Sequence, residues 1–166
     1  MDTQINSSRR NLLRGLAPSA PQPVRPPGAV AESLFTDGCT ACGECVDACP
    51  QGILFSGSGG FPELSFRNAE CTFCARCIDA CSADVLQHAV QPPWRLQLRV
   101  RERCLAVRQV ICQTCGDACD AEAIRFRPQL GQVATPEISA GPCTGCGACV
   151  AACPEDALEV IADDRR

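Results

Sequence analysis

The chain has 166 residues and a formal net charge of −4 at pH 7. It contains no run of about eighteen apolar residues, which excludes a helix that spans a bilayer. The acidic balance disfavours nucleic acid as a partner, although all fifteen basic residues are arginines. Six Phe, one Trp and no Tyr leave little aromatic material for a core, whereas cysteine occurs sixteen times.

Residues 1–32 are rich in proline, serine and arginine and are predicted to form a disordered or extended arm. The segment from Ser8 to Arg14 has the character of a twin-arginine export signal. Such signals continue into an apolar stretch of about 7 to 15 residues, but here a proline-rich tract begins at Pro18. We therefore expect no export. The alternative to a solvating arm is a short amphipathic turn at 11–16 that docks on a partner.

The sixteen cysteines form four runs of nearly equal spacing. The runs are Cys39, Cys42, Cys45 and Cys49; Cys71, Cys74, Cys77 and Cys81; Cys104, Cys112, Cys115 and Cys119; and Cys143, Cys146, Cys149 and Cys153. Three runs read C-x-x-C-x-x-C-x-x-x-C, the bacterial spacing for binding [4Fe-4S] clusters through thiolates. Two-residue gaps let one loop turn three sulfur atoms toward one cube, while the fourth cysteine points away from that loop. The third run has a longer first gap, so we expect three to four [4Fe-4S] clusters per chain.

Each run leads into a short apolar segment, which predicts one helical turn followed by a brief strand. These segments are 52–55, 84–86, 123–126 and 157–161. Glycine turns followed by 62–64 and by 136–138 predict a hairpin between the two runs of each pair. An alanine precedes the last cysteine of every run, and a larger side chain there is expected to crowd a cluster.

The repeats predict two modules of two clusters each, over residues 33–91 and 92–166. Gln91-Pro92-Pro93 is interpreted as a stiff junction between them. The alternation from Trp94 to Val100 predicts a half-buried strand, and Trp94 is expected to pack in the core or between the modules.

Arginines are frequent before and inside the third run. They are Arg95, Arg99, Arg101, Arg103 and Arg108. Because the whole chain is acidic, we interpret them as a solvated strand face beside anionic clusters and not as a nucleic-acid site.

Two other uses of the cysteines compete with iron-sulfur clusters. Dense cysteines in a short secreted chain usually form disulfides, but thiols two residues apart, repeated four times, make poor disulfide partners. Structural zinc sites also use C-x-x-C pairs, yet they do not continue to a third and fourth cysteine in this pattern. The spacing therefore favours iron.

Catalysis by the chain itself is not predicted. The single histidine, His88, has no evident partner nearby in sequence, and no nucleophile or carboxylate constellation accompanies it. We interpret His88 as a surface residue, and we predict that the protein is not an enzyme.

The four runs, the long gap in the third, the Ser8-Arg9-Arg10 start and the Arg25-Pro26-Pro27 segment together resemble a known family. It comprises the ferredoxin-type accessory proteins of the periplasmic nitrate reductase system, among the bacterial multi-[4Fe-4S] ferredoxins. The resemblance covers nearly the whole chain. It implies an α+β fold of two tandem bacterial-ferredoxin-like modules, with short helices and β-hairpins around the clusters and a disordered N-terminal arm.

In two-cluster ferredoxins the fourth cysteine of each run binds the other cluster. If each half is such a pair, the resemblance implies four exchanged ligand sets. They are Cys39, Cys42, Cys45 and Cys81; Cys71, Cys74, Cys77 and Cys49; Cys104, Cys112, Cys115 and Cys153; and Cys143, Cys146, Cys149 and Cys119.

The resemblance also implies a function. It predicts a cytoplasmic iron-sulfur protein that contacts the precursor of the periplasmic nitrate reductase catalytic subunit before export and assists its maturation by cluster or electron delivery. A general ferredoxin-type electron carrier is the alternative, and clusters that only hold the fold together are a third reading. Thiolates need a reducing compartment during cluster assembly, which also favours the cytoplasm. The apo form is expected to be largely unfolded.

Overall fold

The computed structural model describes residues 23–89, 94 and 96–162. Short helices and strands alternate along these ranges. In chain order they are α1 (Glu32–Gly38), α2 (Glu44–Asp47), β1 (Leu54–Ser56), a 3-10 turn (Ser58–Gly60), β2 (Pro62–Leu64), α3 (Arg76–Asp79), β3 (Leu96–Val100), α4 (Thr114–Asp117), β4 (Ile124–Phe126), β5 (Pro136–Ile138), α5 (Ala148–Ala151) and β6 (Leu158–Ala162). This is a small mixed helix and strand architecture, as predicted. None of the described helices has the length and apolar character to cross a membrane.

The strands form antiparallel pairs instead of one continuous sheet. The two predicted hairpins are present as β1–β2 and β4–β5, with Leu54 opposite Leu64 in the first and Ile124 opposite Ile138 in the second. The third pair, β3–β6, joins the beginning of the second half to its end. Because isolated two-stranded hairpins are marginally stable in water, other interactions must hold these pairs in place.

The first half has only a remnant of the β3–β6 pair. A single antiparallel bridge joins Ala29 to Leu86, so the strand predicted at 84–86 is reduced to this bridge and its two backbone hydrogen bonds. Pro26 and Pro27 precede the bridge and lack the N–H groups of a ladder. Gly28 then turns the chain through a left-handed φ of 78°. The corresponding segment of the second half, β3, contains no proline and pairs over its full length.

The four-residue helices lie before the last cysteine of each run and not after it. The sequence predicted a helical turn at the start of each following apolar segment, and this position was wrong. Residues in the left-handed region interrupt the chain there. They are Gly52, Asp84, Glu122 and Asp156. A helix cannot continue through a left-handed residue, so the chain passes directly into the strand or bridge.

The segment from residue 23 to 31 packs against the first half, contrary to the prediction of a disordered arm up to residue 32. Pro26 is fully buried. The Arg25 guanidinium donates two hydrogen bonds to the Glu32 carboxylate, at 3.0 and 2.7 Å. It also lies over the rings of Phe35 and Phe61, 5.1 and 5.6 Å from their centroids. The predictions for residues 1–22, including the export-like segment, lie outside the described residues.

The two halves have unequal cores. The first is built around buried Phe35, Ile53, Leu54, Phe66 and Leu86, and β3 and β6 contribute partly buried residues to it. Among the described residues of the second half, the buried apolar ones are three alanines together with Ile124 and Leu158. Because alanine buries little apolar area, the second half depends more on whatever occupies its cysteine sites.

Candidate metal centres

The sixteen cysteines surround four cavities, with four cysteines at each. We number these sites by the run that supplies three of the four. Site 1 has Cys39, Cys42, Cys45 and Cys81; site 2 has Cys71, Cys74, Cys77 and Cys49; site 3 has Cys104, Cys112, Cys115 and Cys153; and site 4 has Cys143, Cys146, Cys149 and Cys119. The structure thus brings together the same sets that the ferredoxin pairing predicts. That these cysteines bind iron remains a prediction.

The cavities are similar in size. Their empty volumes, open mouths included, are about 360 Å³ for sites 1 and 2, 350 Å³ for site 3 and 470 Å³ for site 4. Site 3 is therefore as large as its counterparts in the first half, despite the irregular spacing of its run.

One-turn helices account for the exchange of the fourth cysteine. Helix α2 contains Cys45, which lies at site 1, and the chain just after the helix places Cys49 at site 2. Helix α3 makes the reciprocal connection in the first half, and α4 and α5 repeat the arrangement in the second. Four residues of α-helix advance the chain by about 6 Å, so each helix connects two adjacent cavities.

The seven residues between the first two cysteines of the third run fold into a closed turn. Backbone hydrogen bonds run from Arg108 to Cys104, from Gln109 to Ala106 and from Val110 to Leu105, at 2.9–3.1 Å. Ala106 is fully buried inside this turn. The insertion therefore projects outward while Cys104 and Cys112 remain at the same cavity. Its side chains at Val110 and Ile111 are exposed, Ile111 by 83%.

The cysteine loops share a backbone requirement that the sequence analysis missed. The residue after the second cysteine is left-handed in three runs, with φ of 84° at Gly43, 61° at Ala75 and 85° at Gly147. The third run has Gln113 there with φ of −131°. Glycine at two of these positions was the available signal, but the alanine at 75 concealed the pattern.

Replacing Ala75 by glycine is expected to stabilise the cluster-loaded protein by about 0.5–1 kcal/mol, because a left-handed backbone costs alanine more than glycine. The midpoint of anaerobic thermal unfolding should rise. Ala48→Gly is the matched control, since Ala48 has a right-handed φ of −72°, and it should lower the midpoint. A fall in both variants would contradict the proposed strain at Ala75.

Burial affects the third cysteine of every run in the same way. Together with repulsion from neighbouring cysteines, which is the smaller cause, it raises the thiol pKa to about 11 for Cys45 and Cys115, and to about 12 for Cys77 and Cys149. The repulsion arises because each nearby thiolate disfavours another negative charge. A thiolate at these positions therefore needs a nearby cation, and iron would supply one.

Other features of the cavities fit an iron-sulfur cluster. Backbone N–H groups of Ala123, Ala157 and Phe73 point at the sulfur atoms of Cys119, Cys153 and Cys71, at 3.2–3.4 Å. Hydrogen bonds to sulfur stabilise thiolate charge and are one determinant of cluster potential. Apart from the cysteines, the linings are mainly apolar. Of the alanines that precede the last cysteines, Ala80 lines site 1 and Ala118 lines site 4.

The arrangement bears on the two rival uses of cysteine. All sixteen thiols are free of disulfide bonds. Within the described ranges, no three His, Cys, Asp or Glu side chains are arranged to hold a single metal ion. Four thiols around a cavity suit a multi-iron cluster better than one tetrahedral zinc ion, which draws its ligands to about 2.3 Å.

His88 and the arginine-rich stretch lie outside the four sites. His88 is 62% exposed, as interpreted from the sequence, and its Nε2 lies 2.8 Å from Asp79 Oδ1, a partner nine residues away that the sequence analysis did not identify. Arg101, the residue after β3, forms a 2.6 Å ion pair with Glu159 of β6. Arg99, Arg101, Arg103 and Arg108 are exposed, which agrees with a solvated face, whereas Arg95 lies outside the described residues.

Comparison with known proteins gives a consistent assignment. The family model described as "4Fe-4S dicluster domain" matches residues 38–85 and 110–157. The chain is 40% identical to the ferredoxin-type protein NapF of Escherichia coli strain K12 over 155 residues, which cover 93% of this chain and 94% of that protein. It is 47% identical to NapF of Haemophilus influenzae over 135 residues, or 81% and 77% of the two chains. It is 32% identical to the ferredoxin-type protein NapG of Escherichia coli K12, with 83% and 70% covered. The chain belongs to the NapF family of ferredoxin-type iron-sulfur proteins, with two 4Fe-4S dicluster domains.

Proposed function

We propose that this protein assists maturation of the periplasmic nitrate reductase. It binds the precursor of the catalytic subunit in the cytoplasm, before export, and delivers a cluster or electrons to it. The observation that carries the proposal is the 40–47% identity to NapF proteins over most of the chain. The sequence resemblance to accessory proteins of the nitrate reductase system supplies the partner.

The proposed cofactors are four [4Fe-4S] clusters, held by the four cysteine sets at sites 1 to 4. When bound, each cluster supplies one-electron redox chemistry. The protein's own residues exclude water with apolar linings, orient the thiols through left-handed loop positions and donate N–H groups to sulfur. None of these roles requires a catalytic side chain, so we propose an accessory role and not an enzymatic one.

Binding of the precursor is the direct test. The cluster-loaded protein should retain the cytoplasmic precursor of the catalytic subunit in an anaerobic pull-down, and it should not retain the mature, cofactor-filled enzyme. A matched control is the same chain lacking its iron, which is expected to bind neither form if it unfolds. Equal retention of precursor and mature enzyme, or of neither, would count against a role before export.

The second candidate function is general electron transfer, and the close packing of the four sites favours it. A carrier keeps its clusters during repeated reduction and reoxidation by a partner reductase. A cluster donor loses iron and sulfide to an apo-acceptor in stoichiometric amounts. Measuring the iron content of both proteins after incubation therefore separates cluster delivery from electron delivery.

A further inference from the structure

The sites within each half are direct neighbours. Helices α2 and α3 connect sites 1 and 2, because the cysteine inside each helix lies at one site and the cysteine two residues after the helix lies at the other. Helices α4 and α5 connect sites 3 and 4 in the same way.

The two halves meet at the loops of sites 2 and 4. The backbone N–H of Cys71, at site 2, donates a hydrogen bond of 2.8 Å to the backbone carbonyl of Cys146, at site 4. From Cys71 Sγ to Cys146 Sγ the path runs along covalent bonds except for this one hydrogen bond. Among the described residues, no site-3 cysteine makes a backbone hydrogen bond to the first half.

Close packing holds this contact. Gly145 and Gly147 flank Cys146, and both have left-handed φ values. A Cβ atom at Gly147 would overlap the Phe66 ring, and one at Gly145 would lie 2.6 Å from Trp94 Nε1. Gly147 therefore allows the site-4 loop to approach Phe66 of the first half, and Gly145 leaves room for Trp94 beside the same loop.

Trp94 joins the two loops. Its ring packs edge-on against Phe66, with centroids 5.9 Å apart, and in a tilted arrangement against Phe73 of the site-2 loop, with centroids 5.7 Å apart. Its Nε1–H donates a 3.0 Å hydrogen bond to the carbonyl of Thr144 in the site-4 loop. The side chain therefore contacts both loops while lying outside either cavity.

We propose that sites 2 and 4 form the electron-transfer junction between the halves, so that the spatial order of the sites is 1, 2, 4, 3, and that Trp94 is its positioning residue. The inference rests on the proposed occupation of the sites by clusters. One electron leaves a reduced cluster in one half and enters an oxidised cluster in the other, with no proton transfer. The first electron comes from a low-potential one-electron reductant such as photoreduced flavin. Sites 1 and 3 are then the ends at which external partners exchange electrons.

The decisive test uses full-length variants that retain two sites each. Cys42→Ala with Cys112→Ala leaves sites 2 and 4; Cys42→Ala with Cys143→Ala leaves sites 2 and 3; and Cys74→Ala with Cys143→Ala leaves sites 1 and 3. After reduction, EPR should show magnetic splitting between the halves in the first variant only. Splitting in the second variant but not in the first, with both sites filled in each, would overturn the proposed order.

A second test keeps all four sites. Trp94→Ala should retain the full iron content but weaken the splitting between the halves, and Trp94→Phe should restore most of it. Phe55→Ala is the control, because Phe55 is an exposed aromatic residue of β1, and it should change nothing. Unchanged splitting in Trp94→Ala would remove Trp94 from the junction. Missing iron in the unaltered protein would refute the proposed cofactors, whereas full iron without splitting would refute the junction alone.

Discussion

Anaerobic removal of iron is expected to unfold the chain and to abolish its cooperative thermal transition. The reason is the weakness of the remaining structure. The longest described helix has seven residues, and the strands pair only two by two. Isolated helices shorter than about 12 residues and single hairpins are marginal in water.

The free energy of metal binding is expected to decide whether the chain is folded or unfolded. Structural metal sites contribute on the order of 10 kcal/mol to folding, comparable with the whole stability of a small domain. The second half, whose buried residues are mainly alanines, should lose its structure at least as completely as the first.

Circular dichroism and hydrogen exchange after treatment with an iron chelator would measure this effect. The control is the same chelator already saturated with iron, which should leave the protein folded. Reconstitution with iron and sulfide should restore the transition. An apo-protein that still melts cooperatively, with protected amides in β3 and β6, would contradict the expectation.

The exchange of cysteines between runs predicts a specific pattern of iron loss. If Cys153 belongs to site 3, Cys153→Ala and Cys104→Ala remove the same cluster. The double variant should then lose no more iron than either single variant. Cys153→Ala combined with Cys143→Ala should remove two clusters, because these residues lie at different sites despite belonging to one run.

Anaerobic iron and sulfide analysis measures this difference directly. Each lost cluster removes about four irons from a full content of about sixteen. The Cys143 and Cys153 double variant should therefore contain about eight irons, and the Cys104 and Cys153 double variant about twelve. The reverse result would mean that each run binds its own cluster. Zinc in place of iron would reject the iron-sulfur assignment altogether.

Much of the candidate site was predictable because it depends on local spacing. Two-residue gaps place three thiols on one loop, whichever way the rest of the chain packs. The hairpins were predictable for a similar reason, since glycine turns and short apolar segments act over few residues. The helical turns were misplaced because left-handed φ values at Asp84, Glu122 and Asp156 are not evident from residue type.

The segment around Arg25 and Pro26 shows a second reason why sequence patterns can fail to predict structure. Proline and arginine near the N-terminus predicted disorder, but Arg25 and Pro26 have partners that are distant in sequence or depend on the folded core. Arg25 stacks on Phe61 and donates to the carbonyl of Pro62 at 3.1 Å. Composition cannot report such contacts, because they exist only once the β1–β2 hairpin has formed.

The sequence by itself determined the donor atoms, the class of cofactor they suit and their grouping into runs. Only the tertiary structure decided which runs face each other across the two halves. That choice depends on Trp94 and Phe66 packing against Gly145 and Gly147, contacts between residues about 50 to 80 positions apart. Spacing within a run acts on one loop and carries no information about such packing, so the adjacency of sites 2 and 4 became visible only in the folded chain.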